Sequence, residues 1–200
     1  MTMTLGLRER KKAETRQALS AAALRLAEEL GPERVTVEAI AEASGVSPRT
    51  FFNYFSHKDD AILGISPDEP SVLLDDLVGR PAGEAPLAAL RAATLAAAGR
   101  LEEQADELWA RHRLTQAHPA LAVRRTARFA EVERELVEVI ARRTGLDPDR
   151  DVYPALVVAC ALAAVRVAMS VWYEADRPAP LGSLFAATFD QLGAGLPLPG

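Results

Sequence analysis

Val35-Thr-Val-Glu-Ala-Ile-Ala-Glu-Ala-Ser-Gly-Val-Ser-Pro-Arg-Thr-Phe-Phe-Asn-Tyr-Phe-Ser-His-Lys58 reads as two short helices joined by a tight turn. Thr36 is suited to N-cap the first, whose Ile40 and Ala41 fall on its inner side. Gly45 sits where the chain must stop and turn, a place that favours positive φ. Ser47 then caps a second helix opening with Pro48, where the missing N–H costs nothing. Phe51 and Phe55, four residues apart, give that helix one apolar face. Arg49, Thr50 and Asn53 are left to look outward, with Phe52 and Tyr54 beside them. A short helix anchored by aromatics and presenting Arg, Thr and Asn suits the major groove of DNA. The stretch predicts a helix-turn-helix.

From Thr36 to Lys58 the residues follow the pattern Thr-Val-x-x-Ile-Ala-x-x-Ala-Gly-Val-Ser-x-x-Thr-Phe-Tyr-x-Tyr-Phe-x-x-Lys almost throughout. In this the chain resembles the DNA-binding head of TetR-type transcriptional regulators. The resemblance extends back over the preceding helix and forward to about Leu63. Phe52 stands where the family usually has tyrosine, so any contact it makes is apolar, for example with a thymine methyl. The resemblance implies a DNA-binding set of Thr36, Ser47, Pro48, Arg49, Thr50, Phe52, Asn53, Tyr54 and Lys58. Arg49 is the candidate for guanine, Thr50 and Asn53 for bases or phosphates. Thr36, Lys58 and the helix-terminal amides are candidates for phosphates.

A net charge of −5 argues against nucleic acid until the charges are located. Residues 1–60 hold nine Lys/Arg and nine Asp/Glu, so the whole deficit lies in the remainder. Arg8, Arg10, Lys11, Lys12 and Arg16 face only Glu9 and Glu14. That local excess is either a phosphate contact or a solvated terminus. Cys160, the single cysteine, lies in an apolar run, which excludes a disulfide framework and any metal-ligand spacing. Met1 to Arg16 holds no apolar stretch of signal-peptide length, and the expected location is cytoplasmic.

The rest reads as helix almost throughout, predicting an all-α fold of about nine helices. A first helix spans about Lys11 to Leu30, with Leu19, Ala23, Leu26 and Leu30 on one face, and Gly31-Pro32 ends it. Ser56-x-x-Asp59 resembles a capping box for a fourth helix, which Ile65-Ser-Pro67 interrupts or ends. Helical stretches follow at Val72 to Val78, Leu87 to Leu101, Asp106 to Gln116, Leu121 to Thr144, Val152 to Tyr173 and Leu181 to Leu192. The expected organisation is a DNA-binding domain over 1–60 and an effector-binding and dimerisation domain over 61–200.

Tyr153 to Tyr173 approaches the ~20 residues a membrane span needs. Arg166 near its middle disfavours insertion, so burial on all sides is the expectation and no membrane partner is implied. One face would pack in its own subunit and another against a symmetry mate. Because operators of such regulators are read as two half-sites, a homodimer is expected, its seam made by the last two helices. Leu184, Phe185, Thr188, Phe189 and Leu192 are the candidate partner surface; the competing reading makes Phe185 and Phe189 intrachain core.

Arg80-Pro-Ala-Gly-Glu-Ala-Pro-Leu-Ala-Ala-Leu, His118-Pro-Ala-Leu121 and the blocks Arg143 to Pro148 and Ala164 to Trp172 carry a second resemblance. They are similar to the C-terminal domain of regulators like the mycofactocin-system regulator. That subgroup is associated with acyl-CoA-like ligands, which implies a hydrophobic effector with a polar head. Trp109, Leu114, Phe129, Met169 and Trp172 are candidate walls for its pocket. Arg113, Arg125, Arg128 and Arg166 are candidate anchors, with Asp190 the expected partner if Arg166 is buried. Trp and Met at helical spacing also read as plain core, and Arg125 and Arg128 as ion-paired surface.

No pair among His57, His112 and His118 has the i, i+4 spacing of a helical metal site. A Gly-rich phosphate loop, a nucleophile elbow and a cysteine with a base are also missing. No catalytic residue, metal or cofactor is therefore assigned. The expectation is a ligand-responsive DNA-binding regulator, most simply a repressor released from a palindromic operator. The alternatives are a DNA-binding protein without an effector and a helical enzyme.

Overall fold

The computed structural model describes residues 7–65, 72–174 and 179–197. Among these the chain is all-α, with ten α-helices. In order they are α1 (Leu7–Leu30), α2 (Val37–Ala43), α3 (Pro48–Phe51), α4 (Lys58–Leu63), α5 (Val72–Val78) and α6 (Pro86–Glu103). α7 (Ala105–Ala117), α8 (Pro119–Thr144), α9 (Val152–Glu174) and α10 (Leu181–Gly193) follow, and a 3₁₀ turn, Pro32–Arg34, sits between α1 and α2. Part of the expected break at Ile65-Ser-Pro67 lies outside the described residues, as does the end of the C-terminal tail.

By packing the chain forms two compact units, Met1–Glu69 with Asp106–Arg128, and Pro70–Ala105 with Phe129–Gly200. The first is built on α1, which packs against α2 and α4. Leu19, Ile40, Phe51, Phe55 and Ile62 are fully buried there, joined by Ala110, Leu114 and Leu121. Burying an aromatic or large aliphatic side chain stabilises by about 1.5–3 kcal/mol. Leu30, expected on the buried face of α1, is 39% exposed. The core stops one turn earlier, at Leu24 and Ala27, and Leu30 ends the helix beside the turn at Gly31.

In the second unit α6 packs against α5, α9 and α10, and α9 against α10. Ala89, Ala93 and Ala97 on α6 are buried, and such small side chains let neighbouring helices approach closely. Its core adds Leu77, Leu136, Ile140, Val158 and Phe189. Arg80 pairs with Glu84 at 2.7 Å, while Arg143 donates to the carbonyls of Arg80 and Pro81, fixing the connector before α6. The Arg80 guanidinium holds the Glu84 carboxyl below the usual carboxylate range.

α9 is long and apolar enough to cross a membrane by length and composition alone. It is not buried on all sides. Val157, Val158, Ala161, Ala164 and Ala168 face inward, while Val152, Leu156, Val167 and Val171 are exposed. Arg166 is exposed too, and Asp190 pairs instead with Arg91, at 3.1 and 3.0 Å. Arg166 needs no buried counter-charge because its side of α9 is uncovered in this chain. Phe185 and Phe189 are 1% and 2% exposed, so intrachain packing already covers the aromatics expected at the seam.

Candidate nucleic-acid interface

The turn between α2 and α3 forms as its residues dictate. Thr36 Oγ1 accepts from the Ala39 amide at 3.2 Å, and Ser47 Oγ from the Thr50 amide at 3.1 Å. Gly45 takes φ 67°, in the left-handed region that suits glycine. The regular part of α3 ends at Phe51 rather than continuing to Tyr54. Turn hydrogen bonds carry the chain on, from Asn53 N to Thr50 O and from Tyr54 N to Phe51 O.

Phe51 and Phe55, 0% and 1% exposed, pin this segment to the core with their rings 5.7 Å apart. The opposite side presents Arg49, Asn53 and Phe52, all exposed. Thr50 is half-buried, its hydroxyl 2.9 Å from that of Ser47, and Tyr54 packs partly against the core. One small surface thus combines a guanidinium, an amide and an apolar ring. That set can take a guanine edge, an adenine edge and a methyl group respectively.

Lys58 is placed differently from a free phosphate hook. Its ammonium donates to the carbonyls of Pro32 at 2.7 Å, Val35 at 2.8 Å and Glu33 at 3.3 Å. Three donors meet three acceptors, which ties the start of α4 to the 3₁₀ turn. α4 itself is capped by His57, whose side chain makes no cap bond, so the Ser56–Asp59 box does not form.

Asp60, two residues on, is 3% exposed and meets Arg124 at the start of α8. Ser20 Oγ donates to Ala61 O at 2.8 Å, and Arg111 reaches both Ser20 Oγ and Ile62 O. Gly64 ends α4 at φ 70°, and a Cβ there would lie 3.1 Å from the Arg111 guanidinium carbon. This network went unseen in the sequence. An acidic residue beside Ala61 and Ile62 on an inward face was the only local sign, and it did not name a partner.

The effector candidates are distributed over both units. Trp109 and Arg113 lie one turn apart on α7, with Arg113 2.9 Å from Glu28. Trp172 is buried and Met169 half-buried on α9, whereas Phe129 is 60% exposed.

The chain matches known proteins along both parts. Residues 19–63 fit the profile described as bacterial regulatory proteins, tetR family, and residues 84–197 that of the MftR C-terminal domain. Over 196 residues it is 39% identical to the HTH-type transcriptional regulator TcmR of Streptomyces glaucescens, covering 94% of this chain and 86% of that protein. The chain belongs to the TetR family. Its fold is shared with solved regulators. The fatty acid degradation regulator FadR from Bacillus halodurans superposes with a TM-score of 0.62 at 18% identity, over 92% of this chain and 97% of that one. FadR from Thermus thermophilus, solved in complex with lauroyl-CoA, gives 0.55 at 22% identity, over 92% and 96%. At these identities the likeness is one of fold.

Proposed function

We propose that this TetR-family regulator is a cytoplasmic homodimer that represses transcription from a palindromic operator and is released by a hydrophobic effector with a polar head. The observation that carries the DNA reading is the two-sided segment after Ser47, with Phe51 and Phe55 buried and Arg49, Phe52 and Asn53 exposed. Arg49 is assigned to a guanine, Phe52 and Asn53 to neighbouring base edges. Thr36, Ser47, Pro48, Thr50 and Tyr54 hold the segment and line its phosphate side, while Lys58 braces it from behind through the carbonyls of Pro32, Glu33 and Val35. Functionally, the reading head occupies 1–60 and the remainder senses the effector and dimerises.

The dimer reading is supported by Val152, Leu156, Val167 and Val171, which lie in one exposed stripe roughly 100° wide at 100° per residue on α9. The effector class is an acyl-CoA-like thioester, in keeping with the lauroyl-CoA bound by the Thermus FadR of the same fold. Phe129, Arg166, Met169 and Trp172, all in the second unit, are its candidate contacts. The effector releases DNA only by binding the non-DNA geometry more tightly than the DNA-bound one.

The test is binding of the purified protein to its own upstream DNA at fixed salt, with and without long-chain acyl-CoA thioesters. Specific binding relieved by a thioester supports the whole reading. Specific binding indifferent to every thioester removes the effector class, and sequence-indifferent binding removes the operator.

A further inference from the structure

We propose that Arg111 is a positioning residue for operator recognition: from α7 it caps the carbonyl end of α4, and α4 sets where the reading segment sits. The proposal rests on the DNA reading above and gives a part in it to a side chain outside the reading segment. α4 has six residues. Isolated helices shorter than about 12 residues are marginal in water, so the surroundings of α4 decide where it forms. Its last carbonyls have no partner within the helix and carry the negative end of its dipole. A guanidinium suits them. Arg111 Nε donates to Ile62 O at 3.2 Å, and its side chain is 13% exposed. Ser20 Oγ, on α1, donates to Ala61 O at 2.8 Å and accepts from Arg111 at 3.1 Å. Glu107, one turn earlier on α7, holds the same guanidinium at 2.8 Å.

The start of α4 is tied to α7 as well. Lys58 donates to Glu33 O, and the Glu33 carboxylate meets Nδ1 of His118, the residue directly after α7, at 2.8 Å. α7 thus reaches one end of α4 directly and the other through the 3₁₀ turn. The reading segment runs into Lys58 with no linker, and the 3₁₀ turn leads straight into α2. Specific binding needs several side chains in register with base edges at once, whereas non-specific binding needs only positive charge near phosphates. Loosening α4 therefore costs the specific mode and spares the non-specific one.

The operator is first located by footprinting on the protein's upstream DNA. Fluorescence anisotropy then measures binding of the full chain to that site and to a scrambled duplex, over a series of salt concentrations. All measurements are made below the melting transition of every variant. Arg111→Ala is expected to lose about tenfold in specific affinity, the value of one charge-assisted hydrogen bond. Its non-specific affinity should stay within about twofold of the parent, and its salt slope should not change. Arg111→Lys keeps the charge and one donor but not the planar fork, and is expected to recover to within about threefold. Should Arg111→Ala not fold, Ser20→Ala carries the test. It removes the hydroxyl that joins Arg111 to Ala61 O and should cost about threefold in specific affinity alone.

Folded variants that keep the parent's specific affinity overturn the role while the DNA reading stands. Equal losses on both duplexes overturn it too, because they report general damage rather than positioning. A salt slope lower by about one would make Arg111 a phosphate contact instead. If the parent shows no sequence preference on any DNA, the DNA reading falls and this role with it.

Discussion

Arg124 holds the buried carboxylate of Asp60 with two nitrogens, at 2.6 and 2.7 Å, across 64 residues of sequence. Asp60 lies in the first turn of α4, and Arg124 in the second turn of α8. Arg111 on α7 adds bonds to Ser20 and Ile62, so α1, α4, α7 and α8 share one polar network within the first unit. A fork-to-fork pair fixes direction as well as distance. The helix that follows the reading segment is therefore oriented by side chains from α7 and α8.

Arg124→Ala is expected to lower unfolding free energy by about 3 kcal/mol, toward the low end for breaking a buried pair because Arg124 is 40% exposed. The combination with Asp60→Ala should cost less than the sum of the single changes. Urea unfolding of the four proteins measures this, and strict additivity would sink the coupling.

Lys58 and Arg49 should separate cleanly. Lys58→Ala leaves three carbonyls without their donor and is expected to destabilise by about 1–3 kcal/mol, with little change in the salt dependence of DNA binding. Arg49→Ala should leave the melting temperature alone, weaken binding by about 1–3 kcal/mol and relax preference at one base step. A Lys58 variant of full stability whose salt slope falls by about one would instead return that lysine to a phosphate.

Glu33 carries a pH dependence. Its own backbone amide, and then His118 Nδ1 at 2.8 Å, hold its carboxyl below the ordinary carboxylate range. A depressed folded value means stability present above the unfolded pKa and lost as pH falls through the folded one. Glu33→Gln should therefore flatten the loss of stability as pH falls below about 4.5, the ordinary value for this carboxyl. Melting temperature against pH gives the answer, and identical acid limbs would refute the assignment.

Leu156→Glu, on the exposed stripe of α9, is expected to convert a dimer into a folded monomer. The side chain is 58% exposed within the chain, so helicity should survive. Sedimentation at micromolar concentration would show it; an unchanged mass would place the dimer seam elsewhere.

Local chemistry is what the sequence by itself determined. Thr36 and Ser47 cap the helices that follow them, Gly45 turns between them, and Phe51 and Phe55 face inward. Each outcome depends on residues within about one helical turn, where backbone geometry and apolar spacing leave few options. The exposure of Arg49 and Asn53 was legible for the same reason, whereas Thr50, also expected to look outward, is half-buried. Tertiary structure alone decided the long-range polar partners. Asp60 met Arg124, Asp190 met Arg91 rather than Arg166, and Lys58 turned to the 3₁₀ carbonyls. A charged side chain can satisfy its desolvation with any opposite group that packing brings near. Which group that is depends on how helices dozens of residues apart come together, and periodicity within one helix carries no record of it.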